Sequence, residues 1–209
     1  MRSVLVALAV LVTLLVPAPV VAAEEPPRPL QRRHLLTLDE YQAIYGYLLS
    51  SRVKVRRSPV LAPHRCVDRA AEVSGASRIQ GSVYADERPP SVRDVEQTVV
   101  RFHSTREARA LVDRYRTFSR RCVGESDVII DGDQWHIEKR AWFPRTLGDE
   151  SAGMLIVSTG PWEGESYFDR VLAVRVGRTV SVLDVRYWFA VPPRMELVVL
   201  GRRAVEHLR

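Results

Sequence analysis

Tyr41, Ile44, Tyr45 and Leu48 recur at a spacing that aligns them on one face of a helix. Thr37-Leu38-Asp39-Glu40 precedes them as a capping box: the Thr37 hydroxyl accepts from the Glu40 backbone, and the Glu40 carboxylate reaches back. A helix is therefore predicted over residues 37–50, with Leu36 and Tyr41 placed as a hydrophobic staple. A second capping box, Ser104 with Glu107, opens the strongest helix of the chain. Ala108, Leu111, Val112, Tyr115, Phe118 and Cys122 form its apolar stripe, and Arg106, Arg109, Asp113, Arg116 and Arg120 occupy the rest. A strand rich in β-branched residues, 95–103, runs directly into it.

Beyond Cys122 the period changes from 3.6 to 2. Residues 128–130 and 134–143 flank Asp131-Gly132, a tight hairpin signal, and 154–159 is a further short apolar run. Residues 167–176 and 179–188 are joined by Gly177-Arg178, with glycine where a type II′ turn needs it. That turn would set Val176 opposite Thr179, Leu172 opposite Leu183 and Phe168 opposite Tyr187. Pro192-Pro193 then introduces a helix over residues 194–208, despite Gly201, with Met195, Val198, Val205 and Leu208 inward. The middle of the chain is less patterned. Residues 51–63 read as a loop or short edge strand, Cys66 as the start of a short helical piece, and 82–85 as a strand. Hairpin-length connections point to an α+β domain, an antiparallel sheet with helices packed on one face.

The N-terminus sets the expected compartment. Arg2 precedes an apolar run over residues 4–16, Pro17 and Pro19 break it, and Val21-Ala22-Ala23 offers small residues for signal-peptide cleavage after Ala23. The run is shorter than the ~20 residues of a bilayer span, so cleavage is expected rather than a retained anchor, and no later segment is apolar enough to cross. Residues 24–34 are proline-rich and charged and read as a flexible leader, which leaves 35–209 as the domain. The two cysteines, Cys66 and Cys122, both lie in the exported part, where an even pair is most simply a structural disulfide.

Composition narrows the function classes. The chain has 209 residues, 46% hydrophobic and 27% charged, which fits one globular domain and excludes a disordered or fibrous chain. Its net charge is +6, or +5 once Arg2 has left with the signal peptide, and every basic residue except Lys54 and Lys139 is arginine. Acids dilute that charge along every element, as with Glu107 and Asp113 on the arginine-rich helix, so no nucleic-acid footprint forms. The arginines instead favour an anionic envelope ligand.

Catalytic signatures are missing. Gly164-Glu165-Ser166-Tyr167 lacks the closing glycine of a nucleophile elbow, and none of the five histidines sits in an HxH or HExxH pair, so neither a metal site nor a cofactor is expected. One strand carries more polar functionality than its fold role needs. His136, Glu138, Arg140 and Trp142 alternate with Trp135, Ile137, Ala141 and Phe143. As a ligand-facing surface they would offer Trp142 as a stacking platform and Arg140 as an anion contact. The alternative is a solvent face on which Glu138 and Arg140 pair along the strand.

Leu35 to Glu40, Cys66, Tyr84, Val99-Val100-Arg101-Phe102-His103-Ser104 with Ala108 and Ala110, Cys122, Trp135 and the hairpin from Arg170 to Val185 together resemble the PknH-like extracellular sensor domain of actinobacteria. The resemblance spans residues 35–208 and implies an α+β fold with a ligand-receiving cleft, at the outer end of a receptor kinase or in free-standing exported proteins. No kinase domain or membrane span accompanies the domain in these residues, so no signal would pass in cis. A second disulfide that the resemblance implies in the late hairpin has no cysteines here; Phe168 with Tyr187-Trp188 stands in its place.

The expectation is thus an exported, non-enzymatic sensor or ligand-binding domain of the actinobacterial envelope. Its ligand would be a small molecule, lipid or cell-wall fragment. Two other readings stay open: a small hydrolase-like envelope enzyme using His136 and Glu138 as an acid/base pair, and a protein–protein adaptor without a pocket.

Overall fold

The computed structural model describes residues 28–209, except 47–48, 57–59, 65, 74, 76, 86–91, 163 and 189. The expected signal peptide lies outside the described residues. After a 3-10 turn at Arg32–His34 come α1 (Leu38–Tyr45), β1 (Leu49–Arg56), β2 (Val60–His64), β3 (Val67–Val73), β4 (Ser77–Ala85) and β5 (Val92–Arg101). Then follow α2 (Thr105–Arg121), β6 (Gly124–Ile130), β7 (Asp133–Trp142), β8 (Glu150–Thr159), β9 (Ser166–Val176), β10 (Thr179–Trp188) and α3 (Arg194–Leu208). Eight strands form one sheet in the order β1-β4-β5-β10-β9-β8-β7-β6, with every ladder antiparallel. The hairpin β2–β3 stands apart from it, and Cys66 and Cys122 are joined in a disulfide.

The long elements follow their local chemistry. Both capping boxes form, with Thr37 accepting from the Glu40 backbone N–H and Ser104 from that of Glu107. Asp131 and Gly132 both take positive φ, as a type I′ turn requires, and the β9–β10 register pairs Val176 with Thr179, Leu172 with Leu183 and Phe168 with Tyr187.

Other boundaries differ from the sequence pattern. The first helix stops at Tyr45, not residue 50, because Gly46 takes the left-handed conformation that closes a helix C-terminus. The residue after Cys66 begins β3 rather than a helical piece. Order also starts before residue 35: Leu30 and His34 are buried, and Leu30 packs with Leu35, Ile79 and Val99. The second part of the expected leader therefore belongs to the core.

The larger correction concerns the helices, which cover both faces of the sheet rather than one. Leu172 and Val174 of β9 pack with Leu197, Leu200 and Ala204 of α3 and with Tyr41 and Tyr45 of α1. The intervening Val171 and Ala173 pack with Leu111, Val112 and Tyr115 of α2 on the opposite side. The central strands carry near-continuous apolar runs, and a strand apolar on both sides needs cover on both. Gly201 belongs to this arrangement. A Cβ there would lie 2.7 Å from Leu172 and 2.8 Å from Leu147, so its absence lets α3 approach the sheet. Met195, expected inward, is exposed, and Leu197, Leu200 and Ala204 fill the inner face instead.

Candidate ligand-binding cavity

The α2 face of the sheet is not completely filled. Near the N-terminal part of α2 the sheet presents Ala152, Ala173, Val100 and Val180, over which Ala108, Leu111 and Val112 close tightly. Further along, Thr98 lies opposite Val182, the next row carries Glu96, Asp184, Val171 and Met154, and Ile156 and then Ser158 opposite Ile137 follow. Above these rows, among the described residues, lie Tyr115 and Phe118 of α2 and Ala62 and Pro63 of β2. The remaining space is a partly open cavity of about 390 Å³, bordered by Val128 and Ile130 of the β6–β7 hairpin and by Arg78 of β4. That volume lies in the range of small-molecule sites, and the lining is mainly apolar with a few polar groups, as such sites are.

The polar groups gather on three adjacent strands. Glu96 of β5 pairs across the ladder with Asp184 of β10, Thr98 donates to Glu96 at 3.3 Å, and Arg78 donates to Gln80 at 3.0 Å. Asp184 Oδ1 is sealed from solvent and has no hydrogen-bond partner among the described residues. Burial, reinforced by the neighbouring Asp169, Asp94 and Glu96 and opposed by Arg186, pushes the Asp184 carboxyl up to about 8. Asp169 itself is ion-paired with Arg186. Burial, together with the charges of Asp184 and Glu96, likewise holds the Tyr115 phenol well above its ordinary range. Burial and the neighbouring carboxylates thus favour the protonated form of Asp184 at the wall of a mainly apolar cavity.

The unfolded chain ionises Asp184 near pH ~4, whereas the folded chain keeps the proton to about 8. As pH rises between these values the unfolded state alone loses a proton, so wild-type stability falls across that window. The Asp184→Asn variant lacks this titration. Its melting temperature is expected to gain on wild type by several degrees between pH 4 and pH 8 and to hold a constant offset above; a pH-independent offset in calorimetry would contradict the assignment.

Beyond the cavity, on the same face, three aromatic rings follow one another across the sheet. Trp135 and Tyr167 lie 5.6 Å apart between centroids, and Tyr167 and Trp188 meet edge-on at 5.7 Å. Tyr167 donates to Glu165 at 3.1 Å, and Trp188 is partly exposed.

The residues singled out on β7 occupy the other face. His136, Glu138, Arg140 and Trp142 do share one side of the strand, the side on which α3 lies. None of the four lines the cavity under α2. Arg140 donates to both Glu138 oxygens, at 2.5 and 2.6 Å, on an exposed surface. His136 bonds Asp127 at 2.9 Å, which raises its pKa. Trp142 is buried, with the Arg170 guanidinium 4.9 Å from its ring centroid and its backbone N–H donating to Ser119 Oγ at 3.0 Å. The cavity residues Asp184, Glu96, Arg78 and Tyr115 were missed by sequence reasoning. Asp184 did carry a signal, as the one acid within the apolar run from Val180 to Val185. Among the described residues no cluster of three histidine, cysteine or acidic side chains could hold a metal, and no helix is long and apolar enough to cross a membrane.

These features define an α+β domain with a mainly apolar, partly open cavity under a disulfide-anchored cover. No family model and no curated protein matches the sequence. Among solved structures, the fold is similar to that of the extracellular domain of PknH from Mycobacterium tuberculosis. The TM-score is 0.59 over 88% of this chain and 95% of that one, at 14% sequence identity. At that identity the likeness is one of fold.

Proposed function

We propose that this chain is an extracytoplasmic, non-enzymatic sensor-like domain that binds a small apolar molecule in the cavity between α2 and the sheet. The cavity is the observation that carries this reading: about 390 Å³ of mainly apolar space with a few polar groups at its wall. Two further findings support it. The fold resembles a domain described as extracellular, and both cysteines are spent in one disulfide, a bond that persists in oxidising compartments. A lipid or a cell-wall fragment with an apolar portion has the right chemistry.

The test is titration with N-phenyl-1-naphthylamine, a neutral apolar fluorophore that brightens when it leaves water. Saturable one-to-one binding is expected for wild type. In the Ser158→Trp variant, which places an indole in the cavity at a half-buried position, the affinity should fall at least about tenfold while the melting curve is kept. Binding that does not saturate, or that Ser158→Trp leaves unchanged, would remove the cavity as the site.

A further inference from the structure

Net charge alone favours an anionic ligand, but the arginines are spread over the chain, whereas a ligand responds to the groups that face it. In the cavity those are Glu96 and Asp184, side by side on β5 and β10, with Arg78 at the β4 end. In the next row Asp169 is engaged by Arg186, and Asp94 adds a further carboxylate beside them. Asp184 Oδ1 lacks any partner among the described residues. A half-buried carboxyl with one oxygen sealed and other carboxylates beside it is stabilised by either a proton or a cation.

Resting on the ligand-binding reading above, we propose that the cavity accepts a cationic amphiphile. Its ammonium group displaces the proton of Asp184 and sits between Asp184 and Glu96, and its hydrocarbon part lies along Phe118, Met154, Ile156 and Val182. Tyr115 and Phe118 line the same space, and aromatic rings attract cations; the Lys139 ammonium already lies 5.9 Å from the Phe118 centroid. Proton and charge balance when the ammonium enters as R–NH3+ and Asp184 releases its proton to solvent, leaving a carboxylate–ammonium pair.

This predicts binding coupled to proton release. The groups that set its pH dependence are Asp94 and Glu96 on β5, Asp169 on β9, Arg186 on β10 with Asp184, Arg78 on β4, Lys139 on β7 and Tyr115 on α2. Apparent affinity for an amine rises with pH up to about 8, where free Asp184 loses its proton unaided, and levels off beyond.

The experiment is calorimetric titration of the intact protein with octylammonium, octanol and octanoate, probes of equal chain length that differ in head group. Octylammonium should bind about tenfold or more tightly than octanol, with heats that vary between buffers of different ionisation enthalpy because a proton is released. Asp184→Asn should abolish that preference and the buffer dependence while octanol binding persists, which also shows that the variant is folded. Glu96→Gln should reduce the preference in the same direction. Equal binding of all three probes, or tighter binding of octanoate, overturns the cationic assignment and leaves the cavity reading standing. If none of the three binds, the ligand-binding reading itself fails.

Discussion

Replacing Cys66 and Cys122 together by serine is expected to lower the stability of the fold by about 4 kcal/mol, the loop-closure contribution of a cross-link spanning some 56 residues. For a chain of this size that corresponds to a fall in melting temperature of about 10 °C or more. The structural consequence is local as well as global. The hairpin β2–β3 has two strands, stands outside the main sheet and packs on α2, and a two-stranded unit alone is marginal in water. The disulfide ties the segment between its strands to the residue that ends α2. Ala62 and Pro63 of that hairpin cover the cavity. Amide exchange in β2 and β3 should therefore accelerate more than in β9 and β10, and affinity for N-phenyl-1-naphthylamine should weaken. Scanning calorimetry of the variant, and of wild type under reductant, checks the first claim. Melting within about 2 °C of the oxidised protein would show that packing on α2 alone holds the hairpin.

The second large effect is expected at Gln97. Its side chain is buried and joins three elements: Oε1 accepts from the Leu36 backbone N–H at 2.7 Å and from the Tyr41 hydroxyl at 3.4 Å, and Nε2 donates to Ser181 Oγ at 3.0 Å. Gln97→Leu keeps the approximate volume but takes this partner from one buried amide and two buried hydroxyls, those of Tyr41 and Ser181, at about 1–3 kcal/mol for each group left unsatisfied. A loss of about 3 kcal/mol in urea unfolding is expected. Adding Ser181→Ala should restore part of it, because removing both ends of a buried hydrogen bond costs less than removing one. A loss below about 1 kcal/mol would mean that solvent reaches the Leu36 amide and that the segment before α1 is not held by this residue.

Gln97 also shows where sequence reasoning stopped. It sits in an otherwise β-branched strand whose alternation was legible, but nothing in residues 95–103 names partners at positions 36, 41 and 181. Those partners lie 56 to 84 residues away, and only the packed chain brings them together. Asp184 and Glu96 are a similar case. Each is an ordinary acid in its own strand; they become a pair through the β5–β10 register, which crosses the whole of α2 and two hairpins. The β7 residues illustrate the converse. Period 2 correctly placed His136, Glu138, Arg140 and Trp142 on one side of the strand, and it foresaw the Glu138–Arg140 pair. It carried no information on which side would be covered by α3, so Trp142 reads as an exposed platform in sequence and is a core residue in the fold.

What the sequence by itself determined is local: both capping boxes, the turn chemistry of Asp131-Gly132 and Gly177-Arg178 with the register it imposes, the α2 stripe, the antiparallel α+β class and the pairing of two cysteines. These depend on interactions within a few residues, or on there being a single way to pair two thiols. The tertiary structure decided the rest. It set which face each helix covers, which apolar rows α2 leaves open, and which carboxyls meet at the cavity wall. Those outcomes depend on desolvation and on contacts between distant segments, and the free energy of an acid such as Asp184 has no meaning until its neighbours and its access to water are settled.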